Sequence, residues 1–219
     1  RLRRHRRGPG RSAMNELFVS AFITLFVVID PPGCAPIYAG LTKDASALER
    51  RNMAIRASVI ALAILLGFAL FGEQLLGALH IQLDSFRIAG GLMLFWIAFE
   101  MVFEKRTQRR EERAEKIAAS EVEDVSVFPM AMPMLAGPGA IAAIMLLMNE
   151  ADDLNDQLMV LGALATVLVI TMVALVAAGP LMRLFGDRVE AVVTRLLGVL
   201  LAALAAQYVI DGLKGSFGI

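Results

Sequence analysis

The fold of this chain is decided by a stretch that reads LFVSAFITLFVVIDPPGCAPIY, residues 17–38. It is long enough to cross a bilayer as a helix, which needs about 20 apolar residues. Its one acidic residue, Asp30, and the two prolines that follow fall inside the apolar run. Because proline removes a backbone donor and clashes with the preceding turn, the stretch predicts a membrane-spanning helix that is interrupted within its length.

The rest of the chain repeats this apolar character. Of its 219 residues 58% are hydrophobic, which is too many for a soluble domain. Mean hydropathy is +0.66. The apolar segments run over about 17–38, 53–79, 82–103, 125–148, 157–185 and 192–213. A membrane β-barrel would show short alternating segments instead. We therefore predict an all-α membrane protein with six transmembrane helices.

The charged residues are concentrated in two places. The chain has 21 basic and 21 acidic residues, with six arginines in residues 1–11 and thirteen charges between Glu104 and Asp124. This distribution excludes a soluble enzyme with a solvated surface, and it excludes a nucleic-acid partner held by a basic face. One cysteine, Cys34, and two histidines, His5 and His80, are too few for a zinc site or a disulfide framework.

The bases of the connecting loops predict an orientation. Loops one, three and five carry thirteen Lys and Arg residues, against two, Arg87 and Lys214, on the opposite side once residues 1–13 are set aside. By the positive-inside rule, those three loops lie in the cytoplasm and both termini lie outside. We expect a multi-pass protein of the cell inner (plasma) membrane, with the lipid bilayer as its surroundings.

Four parts of the chain can be distinguished. Residues 1–13 precede Met14 and are interpreted as an upstream or non-native extension, without which 15 bases and 21 acids leave a net charge of −6. Residues 14–104 hold three helices, residues 105–124 form a charged cytoplasmic linker, and residues 125–219 hold three more. The mixed charges of the linker favour a solvated connection, to which we assign no chemistry.

The two halves resemble each other. FRIAGGLMLFWIAFEMV (86–102) aligns with TRLLGVLLAALAAQYVI (194–210), which matches Arg87 with Arg195 and Gly90 with Gly198. Because each half holds three helices, the second enters the membrane from the opposite face. This pattern predicts two inverted-topology repeats of three helices, as in secondary transporters.

The first and fourth helices carry the candidate site. Asp30 with Pro31, Gly33 and Cys34 interrupts the first, and Ala136 with Gly137, Pro138 and Gly139 interrupts the fourth. We expect the glycines here to supply irregular backbone torsions between two half-helices. The counts from Leu17 to Asp30 and from Val125 to Gly137 are 13 and 12 residues, near 20 Å at about 1.5 Å each, so both breaks are predicted at mid-membrane.

Two interpretations of these breaks stay open. Free amides and carbonyls inside a membrane can bind the charged ends of a small polar substrate, but prolines also simply kink helices. Asp30 can mark a transport pathway, cap the half-helix that starts at Pro31, or do both. Proton coupling through Asp30 is a hypothesis.

The motifs IDPPGCAPI, FRIAGGLMLF, FPMAMPMLAGPGAI and RLLGVLLAALAAQYVIDGL resemble those of the MarC family of integral membrane proteins. The resemblance runs from Met14 to about Leu213. It implies a six-helix inner-membrane protein related to transporters of small neutral amino acids. The family's D-P-x-G element falls on Asp30, Pro31 and Gly33, and its A-G-P-G element falls on Ala136 to Gly139. Many members have Leu-Gly-Asn where this chain has Pro32-Gly33-Cys34.

These observations predict a secondary transporter of small polar metabolites, such as glycine- or alanine-like neutral amino acids, that works by alternating access. No cofactor or resident metal is expected, although a proton or sodium ion could be coupled. Formation of a homo-oligomer is left as an alternative to a monomer. One alternative is a structural or regulatory membrane protein without transport. The other is a membrane-embedded enzyme, which we do not expect because the sequence has no H-E-x-x-H or comparable set.

Overall fold

The computed structural model describes residues 11–106, 108–110, 112 and 124–218, without side chains at 11–15 and 181–190. The described residues form helices and no strands: α1 (Arg11–Ile29), α2 (Pro31–Leu41), α3 (Ala47–Ala78), α4 (Leu83–Val102), α5 (Ser126–Leu135), α6 (Pro138–Glu150), α7 (Leu154–Val176) and α8 (Ala178–Phe217). Residues 1–10 of the predicted extension and most of the predicted linker, including 113–123, lie outside the described residues.

Five stretches of helix are long and apolar enough to cross a membrane: Glu16–Leu41, Ala47–Ala78, Leu83–Val102, Leu154–Val176 and Ala191–Phe217. α5 and α6 make a sixth if this bent pair is counted as one span. The prediction of an all-helical membrane protein is therefore confirmed.

The boundary between the fifth and sixth spans differs from the prediction. α7 ends at Val176, and α8 begins at Ala178 and continues through the loop expected after residue 185. Gly179 and Pro180 follow the junction, and proline in the first turn of a helix loses no intrahelical hydrogen bond. Pro180 therefore suits the start of α8 and not the interior of α7.

The outer surface of the bundle is apolar. Large hydrophobic side chains such as Phe71, Trp96, Val173 and Leu196 are each more than half exposed. In a protein that must face water, such a surface is unfavourable, but it matches the hydrocarbon of a bilayer. The buried face of α3 carries small residues, Ala54, Ala57 and Ala61, at helical spacing, which lets neighbouring helices approach closely.

α4 and α8 pack closely against each other. An added Cβ at Gly91 would lie 2.9 Å from the Ala205 carbonyl, and one at Gly198 would lie 2.8 Å from the Met101 Cβ. Gly90 contacts α6 instead, where an added Cβ would lie 3.0 Å from Leu146. All three glycines therefore mark places where two helices pack closely.

Candidate functional site

The helix of the first span is interrupted at one buried residue, Asp30. α1 ends at Ile29, Asp30 takes the left-handed conformation with φ 60° and ψ 65°, and α2 begins at Pro31. Asp30 is the N-cap of α2, because its Oδ1 accepts a hydrogen bond from the Gly33 amide at 3.2 Å. The left-handed region is rare for residues other than glycine, although aspartate tolerates it better than most.

The side chain of Asp30 joins three separate parts of the chain. Besides the Gly33 amide of α2, it receives a hydrogen bond from the Thr194 hydroxyl of α8 at 3.4 Å. It also forms an ion pair with Arg110, whose Nη1 lies 3.1 Å from Oδ2. Asp30 is 1% exposed, so its carboxylate is surrounded by protein on all sides.

Arg110 reaches Asp30 because the chain folds back after α4. That helix ends at Val102, and Glu104 adopts a positive φ of 58° in the turn that follows. Helical backbone then resumes in the segment that we call the basic segment, residues 105–106 and 108–110. The prediction that this linker is solvated is wrong for its first residues, because the turn directs Arg106 and Arg110 into the bundle.

Arg106 is the most deeply placed base of this segment. It is 6% exposed and donates to the Val28 carbonyl at 2.7 Å and to the Met101 sulfur at 3.1 Å. Burial, and after it the positive charge of Arg110, lowers the pKa of Arg106 to about 10, although the negative charge of Asp30 acts the other way. Since this pKa is still well above 7, the guanidinium stays charged at neutral pH.

Arg109 forms a second ion pair of the basic segment. Its Nη1 lies 2.6 Å from Oε1 of Glu100, which is 5% exposed. The other carboxylate oxygen of Glu100, Oε2, is buried and has no hydrogen-bond partner. The fold-back of the basic segment therefore covers Glu100, at the end of α4.

The fourth span bends at its proline and glycine residues. α5 is wound in wide, irregular turns with extended backbone at Phe128 and Met132, and it meets α6 at an angle of 53°. Gly137 is the N-cap of α6, with φ −78° and ψ 171°, a conformation open to any residue. Glycine is needed there for space, since a Cβ would collide with the Pro133 carbonyl.

The same reason applies at Gly33, where a Cβ would collide with the carboxylate of Asp30. Gly33 has an ordinary helical position in α2 and no positive φ. The expectation that these glycines supply irregular torsions is therefore wrong. At each of the two positions a nearby group, the Asp30 carboxylate or the Pro133 carbonyl, occupies the space that a side chain would need.

A cavity of about 400 Å³ lies at the bend of the fourth span. Its wall combines the start of α6, the prolines of α5 and the basic segment. The polar and backbone groups of the wall come from Arg106, Arg109, Arg110, Gly137, Pro138 and Gly139, and the rest is apolar. The cavity therefore places three arginines next to the amino-terminal end of a helix.

The predicted site residues fall into two groups. Gly137, Pro138 and Gly139 line the cavity, and Ala136 is buried directly before them. Asp30 borders the cavity through Arg110, with Pro31, Gly33 and Cys34 buried behind it in the first turn of α2. The Cys34 thiol donates to the Ile29 carbonyl at 3.5 Å and is fully buried.

Sequence reasoning missed the three arginines. Arg106, Arg109 and Arg110 have spacings of three and four residues, which place them on one face of a helix. That spacing is visible in the sequence, but it does not show whether the face meets water or the bundle. No cluster of three or more potential metal-ligating His, Cys, Asp or Glu side chains occurs within the part of the chain that the structure describes.

Comparison with known proteins gives matches along nearly the whole chain. The family profile described as MarC family integral membrane protein matches residues 15–217. A UPF0056 membrane protein of Methanocaldococcus jannaschii is 37% identical over 92% of this chain and 98% of its own length. Similar proteins from Archaeoglobus fulgidus and Bacillus subtilis, the latter named YvbG, are 35% and 32% identical over 90% and 93% of this chain and 92% and 97% of their own lengths. No solved structure matches.

Proposed function

The chain belongs to the MarC family of integral membrane proteins, and we propose that it is a secondary transporter of small polar metabolites. The proposed substrates are small neutral amino acids such as glycine and alanine. The observation that carries this proposal is the cavity of about 400 Å³ that brings charged side chains to the bend of the fourth span, beside the interruption of the first. Charged side chains inside an apolar bundle are energetically unfavourable, and in membrane proteins they typically mark the binding site or pathway of a solute or an ion.

The packing of the two halves supports an inverted repeat. The first span, α1 with α2, packs on α7, and the fourth, α5 with α6, packs on α3. The contact of α2 with α8 has its counterpart in that of α4 with α6. If spans one, two and three correspond to spans four, five and six, the contact of span one with span five corresponds to that of span four with span two. The contact of span one with span six likewise corresponds to that of span four with span three. Such reciprocity is typical of units related by a two-fold axis.

The position of the interruptions supports binding near the bilayer centre. Asp30 follows Leu17 by 13 residues of regular helix, or about 20 Å. Gly137 follows Val125 by 12 residues, at the end of the irregular turns of α5. In transporters built from inverted repeats, the substrate binds between interrupted helices near the membrane midplane. We infer alternating access in which the two halves move about this site.

The charges around the cavity suit a zwitterion. Arginine side chains and the amino-terminal end of α6 favour a carboxylate. Asp30 and Glu100, which are ion-paired with two of these arginines, bring negative charge close to the cavity, and this charge favours an ammonium group in the same ligand. A volume of about 400 Å³ is ample for an amino acid with a small side chain.

Transport by proteoliposomes tests the proposal. Purified protein reconstituted into liposomes should take up or exchange radiolabelled glycine or alanine under an imposed proton or sodium gradient. Gly137→Ala should abolish this transport because its Cβ collides with the Pro133 carbonyl, whereas Gly77→Ala, where a Cβ meets nothing within 4 Å, should retain it. If the wild-type protein neither transports nor exchanges any small amino acid under either gradient, the proposed substrate class is wrong.

A further inference from the structure

We propose that Arg106 is the carboxylate-binding residue of the cavity, and that the site therefore accepts solutes that carry a carboxylate. This inference rests on the proposed function, since it assumes that the cavity at the bend of the fourth span is the substrate site. It assigns the role to a residue of the linker and not to the two interrupted helices that the sequence patterns single out.

Two of the three arginines in the cavity wall form ion pairs. Arg110 is paired with Asp30 at 3.1 Å, and Arg109 is paired with Glu100 at 2.6 Å. Arg106 has no carboxylate within 4.0 Å among the residues that the structure describes. Of the three arginines that line the cavity, Arg106 is thus the one that forms no ion pair within the described part of the chain.

Hydrogen bonds to uncharged groups hold the side chain of Arg106. Its two protein acceptors, the Val28 carbonyl and the Met101 sulfur, are both neutral. A guanidinium has five N–H donors in a planar fork, so these bonds orient the group and leave other donors available. A buried charge without a directly paired counter-charge is unfavourable, and an anion that enters the cavity lowers this penalty.

The amino-terminal end of α6 lines the same cavity as Arg106. Its first residue, Pro138, has no amide hydrogen, and the first hydrogen bond to the cap is made by the Ile141 amide to the Gly137 carbonyl. The amides of Gly139 and Ala140, which also line the cavity, precede that bond and point from the positive end of the helix dipole. Arg106 and this helix end therefore favour the same kind of ligand, a carboxylate that accepts several hydrogen bonds.

Binding to the intact purified protein tests the assignment with a series of small probes. We expect glycine and acetate to bind and to raise the thermal unfolding temperature. Glycinamide, which keeps the ammonium and loses the carboxylate, should bind about 10- to 100-fold more weakly than glycine, which corresponds to loss of a charged hydrogen bond. Glycinamide that binds as tightly as glycine would overturn the proposal without any mutation.

Variants of Arg106 test the same point on the protein side. Arg106→Gln should weaken glycine and acetate binding by about 10- to 100-fold, and Arg106→Lys should retain part of it because the charge remains. Arg51→Gln, at an exposed arginine of α3, is the matched control and should bind as the wild type does. If Arg106→Gln fails to fold, the Arg106→Lys variant and the probe series decide.

The outcomes separate the two proposals. Transport of amino acids with full glycine affinity in Arg106→Gln would overturn the role of Arg106 and leave the proposed function intact. Binding of acetate or inorganic phosphate that depends on Arg106, with no binding or transport of any amino acid, would support the anion site and overturn the proposed substrate class.

Discussion

At the residue scale, the side chain of Asp30 connects three separate parts of the structure. Its carboxylate contacts the first turn of α2, the Thr194 hydroxyl of α8 and the guanidinium of Arg110 in the basic segment. A buried ion pair contributes little net stability compared with apolar packing, but removal of one partner leaves an uncompensated charge. Asp30 and Arg110 should therefore behave as one unit.

A double-mutant cycle tests this coupling. Asn keeps an N-cap acceptor, so Asp30→Asn removes mainly the charge, and it should cost about 3 to 5 kcal/mol of unfolding free energy because Arg110 stays buried. Arg110→Gln should also destabilise, and the double variant should lose less than both single effects together by about 0.5 to 3 kcal/mol. The measurement is unfolding of the solubilised protein by a denaturing detergent.

The control for this cycle is a pair at the surface. Arg56 and Asp124 form an ion pair whose side chains are 57% and 43% exposed. Asp124→Asn should change stability by less than about 1 kcal/mol, because exposed pairs are weak. Additive effects of Asp30→Asn and Arg110→Gln would contradict the coupling.

At the scale of elements, the glycines of α4 and α8 determine how closely these two helices approach. An added Cβ at Gly91 would lie 2.8 Å from the Val209 side chain and 2.9 Å from the Ala205 carbonyl. The backbone carbonyl cannot move aside without displacing α8. The contact between the third and sixth spans thus depends on the absence of a side chain at this position.

Gly91→Ala should therefore destabilise the protein by about 1 to 3 kcal/mol, the usual cost of overpacking. Gly67→Ala is the matched control, since Gly67 is also a helical glycine and an added Cβ there meets nothing within 4 Å. Alanine has the higher helix propensity, so the control should be neutral or more stable. Thermal unfolding of both variants in the same detergent makes the comparison, and equal destabilisation would contradict this account of the α4–α8 contact.

At the scale of the whole molecule, the lipid-facing surface and the loop charges together determine how the bundle is placed. Apolar side chains cover the outside of the helices, which accounts for membrane insertion but is the same for either orientation. The predicted orientation rests on the thirteen bases in and beside the loops that the sequence predicts on one side, against two on the other.

Cysteine labelling tests the orientation. Cys34 is fully buried, so it should react little, and Cys34→Ala gives the background. Asp152→Cys and Asp44→Cys place matched exposed thiols in the fourth and first loops. In intact cells whose plasma membrane the reagent can reach, a membrane-impermeant maleimide should label Asp152→Cys. It should label Asp44→Cys only after the cells are lysed. The reverse pattern would show that the bundle is inserted the other way round.

Much of the architecture could be predicted from local sequence, and its errors have physical causes. Gly33 and Gly137 were identified correctly as special, but the reason is a nearby carboxylate or carbonyl, which a one-dimensional pattern does not show. The end of the fifth span was predicted too late because the residues after Gly179 are apolar, although Pro180 suits a helix start. The charged linker was predicted to be solvated because charge density alone does not reveal a fold-back at Glu104.

The sequence by itself determined the apolar helices, their approximate bounds and the two places where proline and glycine interrupt them. These features are local, because hydropathy and backbone restriction act within a few residues. Only the tertiary structure decided which charges meet. Asp30 and Arg110 are 80 positions apart, and Arg106 faces the start of α6 because a turn after α4 returns the chain into the bundle. Only long-range packing can bring together groups that are so far apart along the chain.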